Sequence, residues 1–362
     1  MPQAAPSRRT GPIGLAAFVI VSIALLVAFA PAWREGAARA ALDLSKPLPD
    51  KVPPGVVLRV GDPVTQWVFQ HEGYEKNLPF KIEWAQITGG PDVTEAFHAG
   101  ALDVGLGASV PPIHATWTGI PVRIVAFRDY ADPGHHQAWV FGVSPKSGIR
   151  SIADFRGKRI AFSPSQVQAV VVLQTLQAAG LKPSDVTLVE LPSSIGGDVY
   201  TSALASGEVD VAPLGAGIVA ERYIRKFGGD GARLVKHPPF RDDAVVAYVP
   251  ETVLADPGKA AALKVFIHYW GLAQAWINTH PEELAQGYYG QHQGLPIDDG
   301  RLILAATGKF NVPRDWTRAQ SVEQAAIDLL GRQTGHPRLD AATLFDPRFE
   351  TIAADAAGGR AS

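Results

Sequence analysis

The stretch ITGGPDVTEAFHAGALDVGLGASVPP, Ile87 to Pro112, places two loops of small residues directly before two helix starts. In the first loop, Thr88-Gly89-Gly90-Pro91-Asp92 precedes Val93, Ala96 and Phe97, an apolar stripe at helical spacing, with Pro91 where a first turn tolerates it. In the second, the apolar run 103–107 leads into Gly107-Ala108-Ser109-Val110, and Pro111-Pro112 open another short helix. The first N–H groups of a helix have no partner within it and attract anions. Two such corners at the carboxyl ends of neighbouring strands describe the ligand crevice of an open α/β sheet. Glycines in these loops also serve simply as tight turns, and one loop alone does not separate the two readings.

Strand-like runs alternate with helical periodicity from residue 56 onward, the signature of a doubly wound architecture. Strands are expected at 56–60, 81–84, 122–127, 158–162, 186–191 and 209–214, and a long helix at 166–179 closed by Gly180. The grammar of the first unit recurs. Phe97-His98-Ala99-Gly100-Ala101-Leu102-Asp103-Val104 is echoed by Leu204-Ala205-Ser206-Gly207-Glu208-Val209-Asp210-Val211. In each, a helix stops at Gly and a short turn containing Asp starts an apolar strand that ends in small residues. Helices are further expected at 253–279, 281–289, 296–306 and 314–330, with Trp270 and Trp276 buried as scaffold.

Composition bounds the function. The chain has 362 residues, 46% hydrophobic and 19% charged, with 33 basic against 35 acidic side chains, which is ordinary for a globular protein of two cores. Near-neutral charge without a run of Lys or Arg argues against a nucleic-acid partner. The absence of cysteine excludes disulfides, thiolate catalysis, Cys-ligated metal and lipidation at an N-terminal Cys. No phosphate-binding G-x-x-x-x-G-K loop or G-x-S-x-G elbow is present, and His71-Glu72 lacks the second His of a zinc helix. Neither a cofactor nor a metal is expected. At the N-terminus, Arg8 and Arg9 precede the apolar run 12–33, and Ala38-Arg39-Ala40 or Ala30-Pro31-Ala32 offers a cleavage pattern. Residues 1–40 therefore read as an export signal or an uncleaved anchor, with a Pro-rich linker at 41–55.

The stretches ITGGPDVTEAFHAGALDVGLGASVPPIHATWTGIPVRIVA, IADFRGKRIAF, AAGLKPSDVTLVEL and ALASGEVDVAP together resemble the extracytoplasmic substrate-binding proteins of ABC importers for aliphatic sulfonates, taurine and nitrate. The resemblance spans about residues 56 to 290 and fades between 316 and 349. It implies an α/β, two-lobed periplasmic-binding-protein type II fold, each lobe a mainly parallel sheet flanked by helices. Lobe one would combine 56–140 with 245–362, lobe two would be 141–244, and the chain would cross between them near 139–143 and 244–248.

The implied function is capture of a small organic oxyanion, an aliphatic sulfonate first, by a monomer that delivers it to a membrane permease and its ATPase without chemistry of its own. Nitrate, taurine and a thiamine-precursor-like heterocycle are the alternatives within that class. Outside it stand a fold-related enzyme and a sensor domain, although thiamine-precursor enzymes of this fold carry a Cys-rich motif absent here. The implied ligand contacts are amides near the loop Gly90, Pro91 and Asp92 and near Ala108, Ser109 and Val110, with the Ser109 hydroxyl. From lobe two come Ser163, Ser165 and Gln166 and the loop Gly215, Ala216 and Gly217. Gln66, Trp67 and Trp139 would wall the organic tail, and Arg128 would add charge unless Asp129 neutralises it.

Overall fold

A computed structural model describes residues 42–87, 89–192 and 198–359; the expected signal or anchor, residues 1–40, lies outside the described residues, as does Thr88. Two β-sheets, each flanked by helices, form within residues 44–362. In the first, β1 (Val57–Gly61) pairs in parallel with β2 (Lys81–Trp84) and β3 (Val104–Ala108). Helix α1 (Pro63–Glu72) follows β1, α2 (Gly90–His98) follows β2, α3 (Val110–Trp117) follows β3, and β4 (Val122–Tyr130) comes next. The second sheet holds β5 (Trp139–Val143), β6 (Arg159–Phe162), β7 (Thr187–Glu190), β8 (Val211–Gly215) and β9 (Arg233–Val235). Between them lie α4 (Val167–Ala178), α5 (Asp198–Ser206) and α6 (Ile218–Phe227).

The chain then returns to the first sheet as β10 (Val245–Pro250), which inserts antiparallel between β3 and β4. The remainder is mostly helical: α7 (Glu251–Ala255), α8 (Pro257–Thr279), α9 (Pro281–Leu284), a π-helical stretch (Ala285–His292), α10 (Ile297–Thr307), the short edge strand β11 (Phe310–Asn311), α11 (Thr317–Thr334) and α12 (Ile352–Ala357). Both sheets are therefore mixed, where mainly parallel sheets were expected. The orders are β11-β4-β10-β3-β1-β2 and β7-β6-β8-β5-β9, and β10 and β5 run against their neighbours. The physical reason is connectivity: each is the first strand after a passage between sheets and enters its sheet from the far side. Those passages run over 131–138 and 236–244.

The sequence echo has one structural cause. Asp103 accepts the backbone N–H of Arg59 at 3.0 Å, while its own N–H donates to the Arg59 carbonyl at 2.9 Å. Asp210 does the same with Arg159, at 2.9 and 2.8 Å. Each Asp thus fixes where a strand starts beside its parallel neighbour, β3 beside β1 and β8 beside β6. The turn before it needs left-handed backbone, supplied by Gly100 (φ 64°) and Gly207 (φ 77°). The first sheet is sealed by Leu58, Val60, Val104, Ile124 and Tyr248 against Phe69, Val93, Phe97 and Phe266, all buried.

The two passages are tied together by adjacent carboxylates. Asp243 accepts the N–H of Tyr130 at the end of β4, at 2.5 Å, and Asp242 accepts the N–H of Trp139 at the start of β5, at 2.9 Å. Asp242 also meets Nε2 of fully buried His237 at 3.0 Å. Arg241 bridges Asp243 at 2.6 Å and Asp129 at 2.7 Å. Replacing Asp242 with Ala strips Trp139 N–H and His237 of their acceptor in a buried place. The expected loss is about 2–4 kcal/mol of unfolding free energy in urea; a change below about 0.5 kcal/mol, the size of an ordinary surface substitution, would show that the clamp does not matter.

Candidate functional site

Four helices begin where the expected oxyanion contacts lie: α2 after Gly89, α3 after Ser109, α4 after Gln166 and α6 after Gly217. None is capped by its own side chain, whereas Asp62 caps α1 and Asp256 caps α8. Uncapped amides at a helix start are available to an anion or to water.

Part of the expected set is brought together from both sheets. A methyl group on Gly90 would stand 2.4 Å from Pro111 Cγ and 3.5 Å from Gln166 Nε2, so the start of α2 touches the start of α3 and the side chain that opens α4. Only glycine allows that approach. Gly90, Pro91, Pro111 and Ser165 share a cavity of about 360 Å³ with His114 and Thr94. Ser163 is buried one turn away, its carbonyl accepting the Gln166 N–H at 3.1 Å, and Asp92 is exposed in the first turn of α2. Ala108 ends β3 opposite Val245, and Val110 is fully buried.

Other expected residues are engaged elsewhere. Gly217 packs against α10, where a Cβ would stand 2.9 Å from Ala306 Cβ, and Ala216 N–H donates to the Ala138 carbonyl at 2.8 Å; Gly215 pairs with Trp139. Gln66 accepts from Gln86 at 2.8 Å. Trp67 stacks on His71 and lies 5.8 Å from Trp276 and 6.5 Å from Tyr288, ring centre to ring centre. Its indole joins α1 to α8 and the π-helical stretch. Arg128 is not neutralised by Asp129, because alternate strand residues point to opposite faces and Asp129 pairs with Arg241. The Arg128 guanidinium lies over the Phe310 ring, 3.7 Å from its centre, and donates to Gln274 Oε1.

One residue was missed in the sequence. Glu323, on α11, is 2% exposed, its Oε1 has no partner, and its carboxyl is hydrogen-bonded to the Ser109 hydroxyl. The Ser109 side chain is thereby engaged from behind. Its signal is a charge on an apolar face: Ala319, Ala326, Ile327 and Leu330 surround it at helical spacing and are buried with it. Burial pushes the Glu323 carboxyl up to about 8, the Ser109 bond opposing this. Burial also lowers the pKa of His114 on α3, with His336 acting in the same direction.

Between the usual carboxyl range and about pH 8 the folded chain holds a proton on Glu323 that the unfolded chain lacks, so this group's contribution to stability falls as pH rises through that window. Glu323→Gln is expected to flatten the decline in unfolding free energy from pH 5 to 8.5 by a few kcal/mol. Parallel pH profiles of variant and parent would contradict this.

Residues 68–221 match the profile of the family described as NMT1/THI5 like. A putative aliphatic sulfonates-binding protein of Escherichia coli K12 is 32% identical over 117 residues, 32% of this chain and 35% of the relative, so the match spans about a third of that protein's length. Among solved structures, the alkanesulfonate-binding protein SsuA from Xanthomonas axonopodis pv. citri, bound to MOPS, superposes with a TM-score of 0.67 at 23% identity, covering 81% of this chain and 99% of the other. The periplasmic aliphatic sulphonate binding protein SsuA from Escherichia coli gives 0.66 at 21% identity, covering 83% and 100%. The desulfurization enzyme DSZB shares the fold at 0.56 and 16% identity, covering 83% and 99%. The chain carries an NMT1/THI5 like segment, residues 68–221, on the fold of the periplasmic sulfonate-binding proteins.

Proposed function

We propose that this chain is the extracytoplasmic solute-binding component of an ABC importer, capturing a small organic oxyanion, an aliphatic sulfonate first, between its two sheets. The observation that carries this reading is the meeting of Gly90, Pro111 and Gln166, two uncapped helix starts of one sheet and the opening residue of α4 from the other. The relatives named for sulfonate binding support the ligand class.

A sulfonate spreads one negative charge over three oxygens, each an acceptor for N–H donors that converge without a buried cation in contact. The α2 and α3 amides would hold two of them and the Gln166 amide the third, with Ser163 and Ser165 at the rim. Glu323 is a neutral acid below about pH 8 and adds no repelling charge behind Ser109. Binding closes the groove by rotation about the passages 131–138 and 236–244, the hinge route of two-part binding folds. The closed monomer would then present the ligand to a permease and its ATPase. Residues 12–33 would export or anchor it; among the described residues no helix is long and apolar enough to cross a membrane. Turnover is not part of this reading, although a desulfurization enzyme shares the fold.

Titration calorimetry with C1 to C6 alkanesulfonates, nitrate and sulfate tests the proposal. At least one alkanesulfonate should bind with a Kd of about 1 μM or below, equivalent to about −8 kcal/mol. Gln166→Ala should weaken it about 10-fold, as expected for loss of one hydrogen bond to a charged group, with thermal unfolding of the empty protein unchanged. Failure of every alkanesulfonate to bind, or an unaffected Gln166→Ala, would contradict it.

A further inference from the structure

A carboxyl group is buried directly behind the start of α3. Ser109 holds the cap position of that helix, but its backbone is already helical (φ −74°, ψ −25°), and its hydroxyl does not close on the α3 amides. The hydroxyl is bonded instead to the carboxyl of Glu323, on α11. Both residues are buried, Glu323 at 2% and Ser109 at 6% exposure, and Glu323 Oε1 makes no hydrogen bond with a described residue.

No cation offsets this carboxyl. Helix α11 packs most closely against α3, α4 and the 3-10 turn Ala341–Leu344. Neither α4 nor that turn carries a titratable side chain, and α3 carries only His114. Along α11 itself the charged neighbours are Arg318, Asp328 and Arg332, while Asp129, Arg241 and Asp243 share a cavity with Ala319 and Val322. None of these charges acts on Glu323, whose carboxyl is governed by burial and by the Ser109 bond. A buried carboxylate without a cation beside it is costly, so the group is held as the neutral acid.

The state of that acid decides which way the Ser109 proton points. A neutral carboxyl has one O–H to donate, whereas a carboxylate only accepts. Beside the acid, Ser109 Oγ accepts and its own O–H is released toward the groove; beside a carboxylate, that O–H must turn back. We infer that Glu323 is a positioning residue of the anion site: as the neutral acid it donates to Ser109 Oγ and aims the Ser109 O–H at the bound oxyanion, so capture needs a proton on Glu323. This rests on the oxyanion-binding reading and adds the Ser109 hydroxyl to its donors. Burial raises the carboxyl to about 8, so affinity falls as the pH rises past that value.

The test is calorimetry on the full chain at pH 7, 8 and 9 with the C1 to C6 alkanesulfonate that binds most tightly, an anion whose own charge is constant over this range. Affinity is expected to fall about 10-fold from pH 7 to pH 9, with uptake of about one proton per ligand at pH 9 when buffers of different ionisation enthalpy are compared. Glu323→Gln keeps an N–H donor for Ser109 Oγ and has no proton to lose, so it should stay within about twofold of the parent's pH 7 affinity throughout. Ser109→Ala should bind more weakly at pH 7 and with the pH dependence lost. A flat parent profile without proton uptake, or a decline that survives in either variant, overturns this inference and leaves sulfonate capture standing. Binding of no alkanesulfonate at pH 7 overturns both.

Discussion

The arrangement depends on two neighbouring carboxylates, Asp242 and Asp243, which hold the N–H groups at the two ends of the first passage from within the second. Two sheets joined by only two strands of chain have many relative positions open to them, and hydrophobic burial within each sheet does not select among these. Backbone N–H acceptors do, because they are directional and cost free energy when left unmet in a buried place. Arg241, reaching Asp129 and Asp243, and His237, on Asp242, complete the lattice.

With the sheets so placed, the starts of α2 and α3 lie beside the Gln166 side chain. Burial raises the pKa of the Glu323 carboxyl behind Ser109 to about 8. Gly217 packs against α10, and Trp67 against α8 and the π-helical stretch.

Much of this was legible in the sequence, for a local reason. Helix starts, glycine stops and the paired Asp103 and Asp210 are written within a few residues of one another, so the loops at 87–112 and their echo announce strand, turn and helix before any tertiary contact is known. What stayed hidden depends on long separations. The antiparallel entry of β10 between β3 and β4 joins residues more than a hundred positions apart. The neighbours of Trp67, Trp276 and Tyr288, lie more than two hundred positions away in the chain. Glu323 lies where the family resemblance is faint, and only its place on an apolar face marked it.

The most direct test of the account is a crystal structure of the chain grown with a bound short-chain sulfonate. The account predicts the sulfonate in the groove between the sheets, with oxygens within hydrogen-bond distance of the α2 and α3 amides and of Gln166 Nε2. A ligand held instead on the outer face of either sheet, or in the groove without contact to those amides, would contradict it.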